Sequence, residues 1–368
     1  MVGLVSLDPL CKLNTENLMM DPIVFEPYFR PQVWGGRRLE QYLGRPLPAA
    51  GAFGEAWVLS AQSLHVSRVA EGPLQGLPLT ELWATRQNDL TGRPETICGT
   101  GVSPARAAAT AAPQHRPFPL LLKYLDCQDL LSIQVHPTDE IARELRPGEL
   151  GKTEAWVVLD ADPSARIYPG LRSGVTRADV QRGLADGSLA QCLHAITPQK
   201  GQCIFLRAGT VHAVGGGVLI AEVQQSSDAT FRLFDWNRPG ADGKPRTLHT
   251  EEALRSIDWT AGPVSPAVGL PIPGLAQGGD GQRLVECRYF SIDRYHVSAP
   301  RELPYPGQLS LWMVLQGGVE LDGRATGYRR RFSRGETVLV PAAARELRWQ
   351  PVPGQEAAIL LGVLIPNP

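Results

Sequence analysis

Residues 131–136 read Leu-Ser-Ile-Gln-Val-His, a strict alternation of apolar and polar side chains. At a period of two this is a β-strand with Leu131, Ile133 and Val135 on one face and Ser132, Gln134 and His136 on the other. A second run, Gly-Lys-Thr-Glu-Ala-Trp-Val-Val-Leu-Asp at 151–160, puts Lys152 and Glu154 on one face of the next predicted strand. Burying such polar groups unpaired costs several kcal/mol, whereas one shared metal ion satisfies three or four at once. Gln134, His136 and Glu154 offer an amide oxygen, an imidazole and a carboxylate. Divalent zinc typically takes one further imidazole with such a set and leaves a position for water or substrate. The fourth ligand expected is His212, in Arg-Ala-Gly-Thr-Val-His-Ala-Val (207–214), where a strand at 203–206 meets a tight Ala-Gly turn and a second strand runs over 218–223.

Glycine (38) and proline (32) punctuate short β-branched and aromatic runs throughout the chain, which predicts many strands joined by tight turns. Strands are expected at 56–59, 63–69, 130–136, 155–160, 203–206, 218–223, 231–234, 289–297, 309–314 and 337–340. That spacing suits sandwiches or barrels. Helices are marked by caps: Thr138 before 139–146, Thr176 before 177–185 with Asp179 at the third position, and Thr250 before 251–257. The stretch 88–117 has no strand period and reads as a loop or insertion. The Pro- and Gly-rich stretch 262–281 reads as a linker. Beyond it, Arg-Gly-Glu-Thr-Val-Leu-Val-Pro (334–341) repeats the strand-to-turn pattern of 207–214 without a ligand, and no histidine follows His296.

Composition excludes several classes. At 368 residues and a formal net charge of −1, with charges of both signs interspersed, nothing favours a nucleic-acid or membrane partner. Six cysteines (Cys11, Cys98, Cys127, Cys192, Cys203 and Cys287) contain no C-x-x-C pair, so they are read as small core hydrophobes in a reducing cytoplasm. Neither a secretory leader nor a run of about 18 apolar residues is visible.

Three ordered blocks carry a resemblance: Pro119–Pro137 (PLLLKYLDCQDLLSIQVHP), Gly151–Asp160 (GKTEAWVVLD) and Arg207–Arg238 (RAGTVHAVGGGVLIAEVQQSSDATFRLFDWNR), supported by the weaker Trp-Gly-Gly at 34–36 and Gly-Glu-Ala-Trp at 54–57. Together they resemble type I mannose-6-phosphate isomerase in its short bacterial form. The resemblance implies a mainly β double cupin, two jelly-roll β-barrels with a small helical insertion. It divides the chain into an N-terminal extension (1–24), a catalytic cupin (25–261, with the insertion at about 170–200), the linker (262–281) and a C-terminal cupin-like domain without a metal site (282–368). It places the zinc ligands, one ion per chain, on the same Gln134, His136, Glu154 and His212. It puts the catalytic arginine on Arg232, active-site lysines on Lys123 and Lys152, a phosphate contact on Ser132, and an acidic pocket residue on Glu222. The implied reaction interconverts mannose 6-phosphate and fructose 6-phosphate through an enediol.

Each residue also has a plainer reading. Lys123 could snorkel from a strand end, Arg232 could pair with Asp228 or Asp235, and Trp34 and Trp57 could simply fill core. His65, His115, His194, His249 and His296 have no partner at metal spacing. Two other function classes fit a cupin: a redox-metal dioxygenase, against which Gln134 in place of a first histidine argues, and a non-catalytic sugar-phosphate sensor. Oligomeric state leaves no mark on the sequence.

Overall fold

The computed structural model describes residues 20–92, 117–240, 243–272 and 280–366. His115, Cys11, Cys98 and most of the stretch 88–117 therefore lie outside the described residues, as does the middle of the linker. Six antiparallel strands form one sheet in the spatial order Cys203–Leu206, Glu154–Ala161, Val218–Gln225, Leu120–Cys127, Phe53–Leu59 and Tyr28–Gly36. Facing it is a sheet of four: Phe231–Phe234, Ile133–Val135, His212–Val214 and Ile167–Pro169. Leu125, Trp156, Val158, Ile204 and Ile220 from the first pack with Ile167 and Val214 from the second.

A second pair of sheets follows the same plan. Seven strands lie in the order Ile23–Val24, Thr337–Val340, Ser310–Gln316, Ala358–Leu364, Ser291–Val297, Gly281–Glu286 and Leu270–Pro271, facing four at Arg301–Glu302, Leu347–Pro351, Gly318–Gly323 and Tyr328–Ser333. Its interior is filled by Tyr295, Trp312, Phe332 and Trp349. Ile23 and Val24, at the end of the segment read as an extension, pair with Leu339 and Val338 of this second half.

The six- and seven-stranded sheets pack back to back. Ala56, Leu122, Tyr124 and Val157 meet Phe290, Ile292, Leu311, Met313 and Leu361 in one continuous cluster. Strands between two such layers are buried on both faces, which is why Leu120–Cys127 shows no polar alternation and is buried along its whole length.

The architecture is the expected mainly β double cupin, with one correction: the sheets do not close into barrels. Pro31 and Pro169 sit in edge strands of the first half and offer no N–H for a closing ladder, and the second half ends in two-residue strands at Ile23–Val24 and Leu270–Pro271. Smaller expectations also shift. The strand expected at 63–69 is a hairpin of Ala61–Gln62 and His65–Val66. Thr138 and Thr176 do cap helices Asp139–Leu145 and Arg177–Asp186, the latter as a full capping box. Thr250 instead opens the helix Thr250–Ser256, with His249 at the cap position. Helices Arg38–Leu43 and Leu79–Thr85 carry no side-chain cap and were not legible from caps. Gln87–Thr91, partly within the stretch read as a loop, is helical. Among the described residues no helix is long and apolar enough to cross a membrane.

The Trp-Gly-Gly and Gly-Glu-Ala-Trp elements have a packing reason. A Cβ on Gly35 would stand 2.3 Å from the Gly54 nitrogen, and one on Gly54 would stand 2.5 Å from the Trp34 ring. The strands carrying them cross too closely for any larger side chain. Gly35→Ala is expected to lower stability by about 1–3 kcal/mol through overpacking, read as a lower denaturation midpoint. An unchanged midpoint would mean that the crossing has slack.

Candidate metal centre and active site

Gln134 and His212 come from the four-stranded sheet, His136 from the position just past its strand Ile133–Val135, and Glu154, Lys123 and Glu222 from the six-stranded sheet opposite. Register aligns them: His212 is the cross-strand partner of Gln134, Glu222 of Lys123, and Gln224 of Glu154. Lys152 departs slightly from expectation, because the strand begins at Glu154 and Lys152 lies in the loop ahead of it. Its ammonium still reaches the same place.

His136, Glu154 and His212 are all buried, and their potential ligand atoms lie within 4.8 Å of one another. Each imidazole Nε2 is 3.4 Å from a different Glu154 oxygen. The other ring nitrogens are tied to backbone: His136 Nδ1 to the Ala229 carbonyl and His212 Nδ1 to the Thr210 carbonyl, both at 2.9 Å. A carbonyl only accepts, so Nδ1 carries the proton in both rings and Nε2 turns its lone pair to the centre. Gln134 brings its amide to 3.2 Å from His212 Nε2, and Ser132 donates to its Oε1 at 3.1 Å.

The electrostatics agree with a cation-binding set. Burial and the adjacent Lys152 push His136 down to about 3, and burial likewise depresses His212, so both rings are neutral bases at pH 7. Burial alone would raise Glu154, but Lys152, His136 and His212 outweigh it and keep its carboxyl well below the usual range. Its Oε2 nonetheless has no hydrogen bond of good geometry among the described residues. Two neutral Nε2 atoms and an ionised carboxylate fit a divalent ion. This cluster can hold a metal.

Two ammonium groups border it. Lys152 Nζ is 2.9 Å from Glu154 Oε2 and 3.0 Å from His136 Nε2. Lys123 Nζ is 3.6 Å from Glu222 Oε1 and 3.5 Å from Glu55 Oε2. Burial would lower Lys123, but Glu222, Glu55 and Glu154 together hold it above the ordinary lysine range, so it is a permanent charge rather than a snorkelling one. Glu222 is pushed up by burial and by the charge of Glu154. Arg232, the cross-strand partner of Gln134, is half-buried. Its Nε has no hydrogen-bond partner among the described residues, and Asp235 is instead held by Arg238 and Arg246. The surface ion pair with Asp235 considered for Arg232 is thus not made.

Sequence reasoning missed Glu55. It is buried and accepts from Trp57 Nε1 at 2.6 Å and from Gln32 Nε2 at 2.5 Å, besides facing Lys123. The signal was one acidic residue inside the apolar run Phe53–Leu59. Trp57 is fully buried, as the plainer reading had it, yet its indole N–H also serves this carboxylate. Of the remaining histidines, His65 stacks on Tyr28 with ring centroids 4.2 Å apart, and His249 Nδ1 accepts from the Arg232 backbone N–H. A cleft of about 1200 Å³ lies on the seam between the halves and is lined by none of the residues named for the site.

Fold and site together define a double-cupin protein with a buried His/Glu/His centre in its first half. The type I phosphomannose isomerase catalytic domain matches residues 24–150. Mannose-6-phosphate isomerase of Bacillus subtilis is 32% identical over 332 residues, covering 90% of this chain and 96% of that protein. The enzyme of the same name from Streptococcus mutans is 31% identical over 334 residues, covering 90% and 95%. A crystal structure of mannose 6-phosphate isomerase from Bacillus subtilis aligns with a TM-score of 0.78 at 27% identity, covering 93% of this chain and 99% of that one. A phosphomannose isomerase from Salmonella typhimurium, 14% identical, shares the fold at a TM-score of 0.68. The chain belongs to the type I mannose-6-phosphate isomerase family, and it is an isomerase.

Proposed function

We propose that the chain interconverts mannose 6-phosphate and fructose 6-phosphate, using one zinc ion held by Gln134, His136, Glu154 and His212. The observation carrying this reading is the convergence of two neutral Nε2 atoms on both oxygens of one buried carboxylate, within a chain of this family. When bound, the ion would supply Lewis-acid polarisation of the sugar carbonyl and hydroxyl. For Gln134 to serve as a ligand its amide turns over, so that the oxygen faces the centre and the nitrogen faces Ser132.

Aldose–ketose isomerisation moves a proton between adjacent carbons while negative charge builds on oxygen in an enediol. Lys152, beside His136 and Glu154, and the guanidinium of Arg232 are assigned to that developing charge. Glu222, flanked by Lys123 and Lys152 at 3.6 and 3.8 Å, is the carboxyl we place among the catalytic groups. Lys123 and Ser132 are assigned to binding the phosphorylated substrate. We read residues 25–261 as the catalytic unit and 282–368 as its C-terminal companion without a metal site. We further place the enzyme in the cytoplasm, acting on a small sugar phosphate with no nucleic-acid or membrane partner; the free thiols of Cys127, Cys192, Cys203 and Cys287 support a reducing compartment.

The test is a coupled assay of fructose 6-phosphate formed from mannose 6-phosphate, before chelation, after it, and after zinc is restored. Turnover lost to chelator and regained with zinc is expected. Oxygen consumption with an iron- or copper-loaded chain would move the reading to a dioxygenase, and binding of the sugar phosphate without conversion would move it to a sensor.

A further inference from the structure

The loop carrying Lys152 is fixed by three consecutive backbone N–H groups. Gly151 donates to Asp139 Oδ1 at 2.9 Å, Lys152 to the Pro137 carbonyl at 3.0 Å, and Thr153 to Gln225 Oε1 at 2.9 Å. Gln225 Nε2 in turn donates to Asp139 Oδ1 at 3.0 Å. Asp139 therefore holds one anchor directly and a second through Gln225. The packing there is close: a Cβ on Gly151 would stand 2.5 Å from the Asp139 nitrogen and 2.6 Å from the Thr138 carbonyl carbon.

The other oxygen of Asp139 is held from outside the catalytic half. Tyr289 donates its hydroxyl to Oδ2 at 2.6 Å, and Arg288 Nη2 approaches the same atom at 3.0 Å. Both residues sit in the turn ahead of strand Ser291–Val297, between the two strands of the seven-stranded sheet that bury Phe290 and Ile292 in the shared core. Burial would raise the Asp139 carboxyl, but the hydrogen bonds from Tyr289, Gln225 and Gly151 and the nearby Arg288 charge hold it ionised.

We infer that the second half sets the position of Lys152: Tyr289 and Arg288 grip Asp139, and Asp139 grips the loop from which Lys152 reaches His136 and Glu154. Tyr289 and Asp139 are positioning residues, and the functional consequence rests on the isomerase reading of the site. The hydroxyl of Tyr289 touches no proposed ligand, so its loss should misplace the lysine without emptying the metal centre. Displacements of about 1 Å at a catalytic group cost up to roughly a hundredfold in rate.

The experiment compares Tyr289→Phe, Asp139→Asn and their double variant in the full chain. Tyr289→Phe is expected to lower kcat about 5- to 10-fold, with KM and bound zinc within about twofold of the parent. Because both residues act along one chain of contacts, the double variant should lose no more than Asp139→Asn alone. Hydrogen exchange of the peptide containing Gly151 and Lys152 should speed up in Tyr289→Phe, whatever the substrate proves to be. An unchanged exchange rate, a kcat within about twofold of the parent, multiplicative losses in the double variant, or activity that falls only in step with zinc content would each overturn the inference. A parent chain inactive on mannose 6-phosphate would instead refute the isomerase reading, and the exchange measurement would still decide the positioning claim.

Discussion

His212→Ala is expected to abolish stoichiometric zinc binding and to reduce turnover of mannose 6-phosphate by about a thousandfold or more. Lewis-acid stabilisation is worth several kcal/mol, and each 1.36 kcal/mol is a factor of ten. The fold should survive. His212 sits in a three-residue strand whose ladder bonds come from backbone, and the layers around it are packed by Val211, Ala213 and Val214. Zinc content by atomic absorption, far-UV circular dichroism and the coupled assay give the three readouts. A variant with full zinc content and full turnover would remove His212 from the ligand set, and a variant that loses its secondary structure would make the site structural first.

Arg232→Ala should behave differently, losing about a hundred- to a thousandfold in kcat while retaining zinc, the scale observed when one donor to a developing negative charge is removed. Arg232 shares a strand pairing with Gln134 yet touches no other ligand, and its guanidinium is not committed to Asp235. Arg232→Lys separates two roles. A lysine that restored kcat would make point charge sufficient, whereas continued loss would implicate the planar, bidentate geometry of the guanidinium. Unchanged turnover in Arg232→Ala would reduce it to an ordinary rim charge.

Much of the site was legible because its residues obey strand periodicity. Gln134 and His136 alternate with Ile133 and Val135, all within or beside a strand whose apolar residues are fully buried. Such a pattern makes sense only if the polar face meets partners. Lys152 was placed on a strand because period two continues through Glu154, but Gly151 and the anchors at Pro137 and Gln225 hold it in a loop. Glu55 escaped notice since a single carboxylate in Phe53–Leu59 makes no pattern, and its one partner close in sequence, the Trp57 indole N–H, reads as core packing. Its partners Gln32 and Lys123 are 23 and 68 residues away.

The strand-rich class, the helix starts at Thr138 and Thr176 and the four residues proposed as ligands follow from local rules: alternation, caps and turn chemistry act over a few residues and are written directly in the chain. Tertiary structure alone decided that the sheets stay open, that Ile23 and Val24 join the far half, that Lys123 is clamped between Glu55 and Glu222, and that Tyr289 reaches Asp139. Those outcomes depend on which edges meet and which buried charges find partners across distant segments, and no short-range pattern encodes them.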